Sequence, residues 1–303
     1  MLHDRVLTWY EAHKRTLPWR DGGTDAWGVL VSEVMLQQTP VARVEPVWRE
    51  WMERWPTPAA LAAETPGEVV RAWGRLGYPR RALRLREAAV AITRDHEGWV
   101  PDTEEALLGL PGVGTYTAAA VAAFAHGRRA VVVDTNVRRV LARALEGRPN
   151  ASPSLTAAES RLAAATVPTD ARTSVRWNVA VMELGAVVCR ARIPECGACP
   201  LEDVCAWVAA GSPPDDGPAR RGQAWHGTDR QVRGALVQVL REVSHPVPRP
   251  LLEDEVLTRL GLDPVQHAAQ VERCLGTLVE DGLVEPVPAS AAAPGGEAYR
   301  LPA

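Results

Sequence analysis

The sequence is short of several residues on which common sites are built. Phe124 is its only phenylalanine and Lys14 its only lysine in 303 residues. Chemistry that needs a side-chain amine is therefore confined to Lys14, and any basic surface has to be made from arginine. No apolar run approaches the ~18–20 residues of a membrane span. The opening Met1-Leu2-His3-Asp4-Arg5 lacks the charged-then-apolar pattern of a secretory signal, so a cytoplasmic protein is expected. Only five cysteines occur, four of them in one short stretch. Without a secretory signal this reads as a metal site in a reducing compartment rather than a disulfide framework.

A formal net charge of −3 gives no general attraction to a polyanion. The local distribution differs. Arg75, Arg80, Arg81, Arg84 and Arg86 lie between Arg71 and Arg94, opposed only by Glu87. On this pattern alone, a solvated helix face and a phosphate-binding stripe are equally open.

Helical periodicity dominates to about residue 210. Val6, Trp9, Tyr10 and His13 share one face of a first helix, closed by Leu17-Pro18. Further helices are predicted over 27–38, 40–55, 79–96, 114–124, 136–145 and 174–188. Ala130-Val131-Val132-Val133 is too short to seed a sheet, so the body is all-α. A Gly-Ser-Pro-Pro-Asp-Asp-Gly-Pro run at 211–218 is a linker by composition. Beyond it, helices over 230–242, 251–260 and 265–280 precede short strands at 283–285 and 299–301, the order of a small winged-helix-like α+β module.

Four motifs carry chemistry. In Leu110-Pro111-Gly112-Val113-Gly114-Thr115-Tyr116, Gly112 and Gly114 open a helix and let backbone N–H groups approach a phosphate; a plain glycine turn between helices is the alternative. About twenty residues on, Asp134 in Val133-Asp134-Thr135-Asn136-Val137-Arg138 precedes another helix. There it can serve as a simple N-cap, or be held ionised by the helix N-terminus. In Ser32-Glu33-Val34-Met35-Leu36-Gln37-Gln38-Thr39, Glu33 shares a face with Val29, Leu30 and Leu36. Such surroundings oppose ionisation and raise its pKa. A protonated Glu33 and an ionised Asp134 would give the acid/anion division used where two carboxylates flank a glycosidic bond. Finally, Cys189, Cys196, Cys199 and Cys205 form C-x6-C-x2-C-x5-C, a metal site that physics alone allows to be tetrahedral zinc or an iron–sulfur cubane. Cys274, beside Leu275 and Leu278, reads as core.

In order and spacing these motifs resemble the helix-hairpin-helix DNA glycosylases, and the Ser-Glu-Val-Met-Leu-Gln-Gln-Thr string most resembles MutY-type adenine glycosylases. The resemblance spans roughly residues 5–210. It implies a mainly α fold: a first segment 1–22 packing on the iron–sulfur domain, a six-helix barrel over 23–133, and the iron–sulfur domain over 134–210. A linker at 211–227 and the winged-helix-like module at 228–303 would follow. The resemblance also implies a [4Fe-4S] cluster on the four cysteines. With it comes a monofunctional, monomeric enzyme acting on double-stranded DNA in which adenine lies opposite 8-oxoguanine or guanine.

On the same resemblance, Glu33 protonates the flipped adenine at N7, Asp134 stabilises the C1′ cation, and Tyr116 and Asn136 help to hold the intermediate. Gln37, Gln38 and Tyr78 would probe or wedge the duplex, with Arg81, Gly112, Gly114 and Arg138 on the DNA side. With Tyr78 inside the Arg71–Arg94 stripe, the phosphate-binding reading of that stripe is the one expected.

Two departures stand out. Pro79 occupies the place of a second aromatic found after Tyr78 in many relatives. In place of the Nudix-like domain that usually ends MutY enzymes, only about 85 residues follow the linker. The rival endonuclease III-type reading needs a Schiff-base lysine where this chain has Tyr116. A thymine-mismatch glycosylase could share the tyrosine, and a non-catalytic iron–sulfur regulator would not need Glu33, Tyr116, Asp134 and Asn136 together.

Overall fold

The computed structural model describes residues 2–215, 225–287 and 296–303, so part of the expected linker lies outside the described residues. The helices in chain order are α1 (Leu2–His13), α2 (Ala26–Leu36), α3 (Val41–Arg54), α4 (Pro58–Ala62) and α5 (Pro66–Trp73). They continue with α6 (Arg80–Asp95), α7 (Glu104–Leu108), α8 (Thr115–Phe124), α9 (Thr135–Glu146) and α10 (Ala157–Thr166). The last are α11 (Ala171–Val187), α12 (Ala206–Ala209), α13 (Asp229–Arg241), α14 (Arg249–Leu260) and α15 (Pro264–Glu280). Among the described residues the only sheet is small and antiparallel, with β1 (Val247–Pro248), β2 (Glu285–Val287) and β3 (Ala298–Arg300) in the order β1-β3-β2. No described helix is long and apolar enough to cross a membrane.

In space the chain forms two compact units, one of residues 1–33 and 100–219, the other of 34–99 and 220–303. The expected boundaries follow motif order along the chain, whereas these units follow contacts.

In the first unit, α1 packs on α11, and α9 packs on α11, α10 and α12. The amphipathic spacing of α9 turns Val137, Val140, Leu141 and Ala144 into a core shared with Val6, Trp9 and Tyr10 of α1 and Trp177, Val181 and Leu184 of α11. Gly185 lets α9 and α11 approach closely. A Cβ there would sit 2.7 Å from the Asn136 Cβ, a distance no real pair adopts.

In the second unit, α13, α14, α15 and the sheet form the three-helix-plus-ribbon module expected beyond the linker. Its core of Val232, Leu236, Leu252, Val271 and Leu275 also takes in Val70 of α5. Polar ties follow the same seam. Arg71 donates to the Arg241 carbonyl and, at 2.9 Å, to that of Val243. Arg241 Nε donates to the Val70 carbonyl at 3.0 Å, and the Gly67 amide to the Pro302 carbonyl at 2.7 Å.

Helices α4 and α5 escape a periodicity reading because they are short, and α10 because its alanine-rich sequence carries no clear apolar stripe. Their signals are caps. Thr57 and Thr65 each precede a proline at the first helical position, and Thr156 forms a full capping box with Glu159.

Candidate functional site

The first unit gathers Glu33, Tyr116, Asp134 and Asn136. Glu33 comes from α2, where its apolar neighbours Val29 and Leu30 are buried, and it is itself only 5% exposed. Burial pushes its carboxyl up to about 7, against the Tyr116 hydrogen bond and the charge of Arg20, which lower it; the carboxylate of Asp134 adds to the rise. Tyr116, on the first turn of α8, donates its hydroxyl proton to Glu33 Oε2 at 2.9 Å. Burial and the two carboxylates lift the phenol well above its ordinary range, so it remains a donor.

Asp134 is the N-cap of α9. Its Oδ1 accepts the Val137 amide at 2.7 Å and its Oδ2 accepts Asn136 Nδ2 at 2.7 Å. The cap and the functional reading are therefore compatible, since the same carboxylate does both. Burial raises its pKa, and the Val137 amide, Asn136 and Arg139 restrain that rise. The helix N-terminus thus favours the ionised carboxylate by offsetting the cost of burying the anion.

A second layer, absent from the sequence reading, supports these groups. Glu183 on α11 has a fully buried side chain and accepts Arg15 Nε at 2.6 Å and Arg20 Nη1 at 2.9 Å. Burial alone would raise its pKa, but the arginines hold it down to about 2. Arg20, fixed in this way, is the cation whose field reaches Glu33. Arg139 donates to Asn136 Oδ1 at 2.7 Å, to the Gly185 carbonyl at 2.6 Å and to the Cys189 carbonyl at 2.6 Å. An unbroken run of hydrogen bonds thereby joins Asp134, Asn136, Arg139 and the backbone of Cys189.

Cys189, Cys196, Cys199 and Cys205 line one small cavity together with Arg143 and Trp207. Arg143 is buried, lies 4.7 Å from the Trp207 ring centre and donates to Cys189 Sγ at 3.5 Å and to the carbonyls of Pro149, Arg190 and Ala191. Burial pushes the Cys199 thiol up to about 11, with the neighbouring cysteines adding to the rise. Among the described residues no three His, Cys, Asp or Glu side chains form a group that could hold a single metal ion. Tetrahedral zinc, with Zn–S bonds of ~2.3 Å, would hold its four sulfurs about 3.8 Å apart. A cubane assigns each thiolate to a different iron and uses the same four thiolate donors.

Residues 31–164 match the HhH-GPD superfamily of base excision DNA repair proteins. The chain is 53% identical over 279 residues to an adenine DNA glycosylase of Mycobacterium tuberculosis, a match covering 92% of this chain and 88% of that one. The chain belongs to the adenine DNA glycosylases. The human member is 43% identical over 209 residues, 66% of this chain but 38% of the human one. Among solved structures, a thermostable thymine-DNA glycosylase matches with a TM-score of 0.61 and 28% identity over 69% of this chain and 95% of that chain. The mycobacterial match is too long to stop at the linker, so it includes much of the module at 228–303.

The remaining predicted residues of this adenine DNA glycosylase divide by unit. In the first, α7 and α8 form the hairpin. Gly112 has φ 75°, a left-handed conformation that a side chain would strain, and Gly112 and Gly114 are both exposed on the turn. Arg138 departs from its expected DNA-side place. It is paired with the buried Glu159 at 2.6 Å and with the carbonyls of Ser152 and Ser154 at 2.7 Å, and its side chain is 9% exposed. In the second unit, Gln38 and Tyr78 are exposed and are both non-glycine residues at positive φ, 56° and 47°. Such backbone strain is kept where surrounding bonds over-determine it. Here Arg81 supplies them. Its Nη1 donates to the carbonyls of Val34, Met35 and Gln37, and its Nη2 to Thr39 Oγ1 and the carbonyls of Leu76 and Gly77, at 2.6–3.2 Å. Arg81 is thus a clamp on the Gln38 and Tyr78 loops and not a phosphate ligand.

The arginine stripe divides between backbone ties and surface pairs. Arg71 and Arg86 bond backbone carbonyls, Arg84 pairs with Glu87, Arg80 with Asp281 and Arg94 with Asp95. Arg71, Arg81 and Arg86 thus hold backbone, whereas Arg80, Arg84 and Arg94 keep side chains 51–72% exposed in surface pairs.

Proposed function

We propose that the chain removes adenine mispaired with 8-oxoguanine or guanine from double-stranded DNA, as a monofunctional, monomeric glycosylase of the cytoplasm. The observation that carries this reading is Glu33: a buried carboxyl with a pKa of about 7, hydrogen-bonded by Tyr116 and close enough to Asp134 to feel its charge. At neutral pH such a group can hold a proton and release it, which is what protonating adenine N7 requires. Loss of the protonated base leaves positive charge at C1′. Asp134, held by the α9 N-terminus and Asn136, is the anion that would face it, as preorganised electrostatic stabilisation. Tyr116 orients Glu33 and, being a phenol rather than an amine, offers no Schiff-base route.

The four cysteines, gathered around one cavity, are a donor set that fits a [4Fe-4S] cluster, and the C-x6-C-x2-C-x5-C spacing shared with the family favours the cluster over zinc. Bound there, a cluster would tie the loop 189–205 to itself beside α9; Cys189, Cys196, Cys199 and Cys205 would hold it, and Arg143 of α9 would place a cation beside it. Purified protein should carry iron and sulfide near the cubane ratio of about four each per chain, and Cys196→Ser should lower both; stoichiometric zinc after anaerobic purification would contradict the assignment.

Single-turnover adenine release from a duplex bearing one A:8-oxoguanine pair tests the reading. Glu33→Gln and Asp134→Asn should each slow release by about 10²–10⁴-fold, with duplex affinity retained. Asparagine can still cap α9, so the second variant should fold. Near-normal release by either variant would refute the roles.

A further inference from the structure

Within the second unit, a groove of about 760 Å³ runs between the 74–80 loop and α13. Among the described residues its lining includes Arg43, Arg75, Arg80, Arg230, Arg233 and Arg241 and not one aspartate or glutamate. In a chain of net charge −3 this is a local reversal of the average. Some of these charges are partly neutralised from outside the groove, because Arg80 and Arg233 share Asp281 at 3.1 and 2.5 Å. Arg241 Nη2, by contrast, is buried and has no hydrogen-bond partner among the described residues. Two aromatic rings, Tyr78 and Trp225, each 53% exposed, also line the groove, and Arg230 lies over the Trp225 ring at 4.8 Å. Guanidinium groups interleaved with exposed rings suit a nucleic-acid strand, the cations meeting phosphates and the rings meeting bases.

The third helix of the module is built differently. Modules of this kind commonly enter a DNA groove with that helix. Here α15 carries Glu272 and Glu280, and its one arginine, Arg273, is paired with Asp229 at 2.9 Å.

We propose that the C-terminal module meets DNA through α13 and the Trp225 segment, and that the groove holds a sugar–phosphate strand beside Tyr78 and Gln38. The module then acts with its first helix and not its third. This rests on the reading of the chain as an enzyme acting on duplex DNA.

The test is a fluorescence-anisotropy titration of the full-length holoprotein with a labelled duplex carrying one A:8-oxoguanine pair, repeated over a range of salt. Each arginine–phosphate contact contributes about 0.9 to the slope of log K against log salt. The double variant Arg75→Gln/Arg230→Gln should therefore flatten the slope by about two, equivalent to roughly thirtyfold weaker binding at ~0.15 M salt. Arg75→Lys/Arg230→Lys, which keeps both charges, should retain most of the slope, and this guards against a folding defect in the first variant. Arg273→Gln should match the wild type. An unchanged slope in the glutamine double variant, or an equal loss in Arg273→Gln, would overturn the proposal. Adenine release by the wild type is measured separately, so a failure of the excision reading leaves the salt slope as an independent test of the groove.

Discussion

Glu33→Gln exchanges a buried acid for an amide of nearly the same shape that cannot ionise, and its effect on stability can be worked out in advance. In the folded protein the Glu33 carboxyl titrates at about 7 instead of its ordinary 4.5. The folded state therefore binds this proton more tightly than the unfolded chain does. Below pH ~4.5 both states hold it and Glu33 adds no pH dependence. Between ~4.5 and ~7 the unfolded chain has released it, and wild-type stability falls as pH rises; above ~7 the loss is complete. The gap corresponds to about 3 kcal/mol at ~1.36 kcal/mol per pH unit. The glutamine variant lacks this dependence, so relative to wild type it should gain about 3 kcal/mol between pH ~4.5 and pH ~8. In melting temperature that is roughly 6–12 °C for a domain of about 150–250 residues. Paired thermal or urea unfolding of the two proteins at four values between pH ~5 and ~8 reads the difference, and other titrating groups, Asp134 included, cancel to first order. Parallel pH profiles would refute the raised pKa, and with it the argument that Glu33 is a proton donor at neutral pH.

Two further outcomes are expected. Tyr116→Phe removes the hydroxyl that stabilises ionised Glu33, so the alkaline fall of the single-turnover rate should move upward by about one pH unit, whatever happens to its height; an unmoved midpoint would show that the bond has no hold on Glu33. Borohydride treatment during turnover should trap little protein–DNA adduct, because the hairpin presents Tyr116 and Lys14 is the only lysine; efficient trapping that survives Lys14→Ala would contradict the monofunctional reading.

What is legible in the sequence is local. Asp134 before the Val137–Val140–Leu141 face marks both a cap and the start of α9, and Glu33 on an apolar face implies a raised pKa from neighbours only a turn away. The cysteine spacing locates the cavity shared by all four thiols. The destinations of the arginines are not legible, because their partners lie far along the chain: Arg20 and Arg15 meet Glu183, and Arg71 meets the carbonyl of Val243. A stripe of arginines in sequence looks the same whether it faces phosphates or buried carbonyls. Arg138 and Arg139 make the point most sharply. The two are adjacent, yet one secures Glu159 and the other joins Asn136 to the Cys189 backbone.

The central claim is adenine excision, and the most direct measurement is base release by the wild-type holoprotein across a panel of duplexes. The panel holds A:8-oxoguanine, A:G, T:G and an oxidised pyrimidine opposite G, followed under single-turnover conditions with and without alkali. Adenine release from the first two, with strand cleavage only after alkali, is the result the Glu33–Asp134 arrangement requires. Release of thymine or of the oxidised pyrimidine with adenine left in place would contradict it.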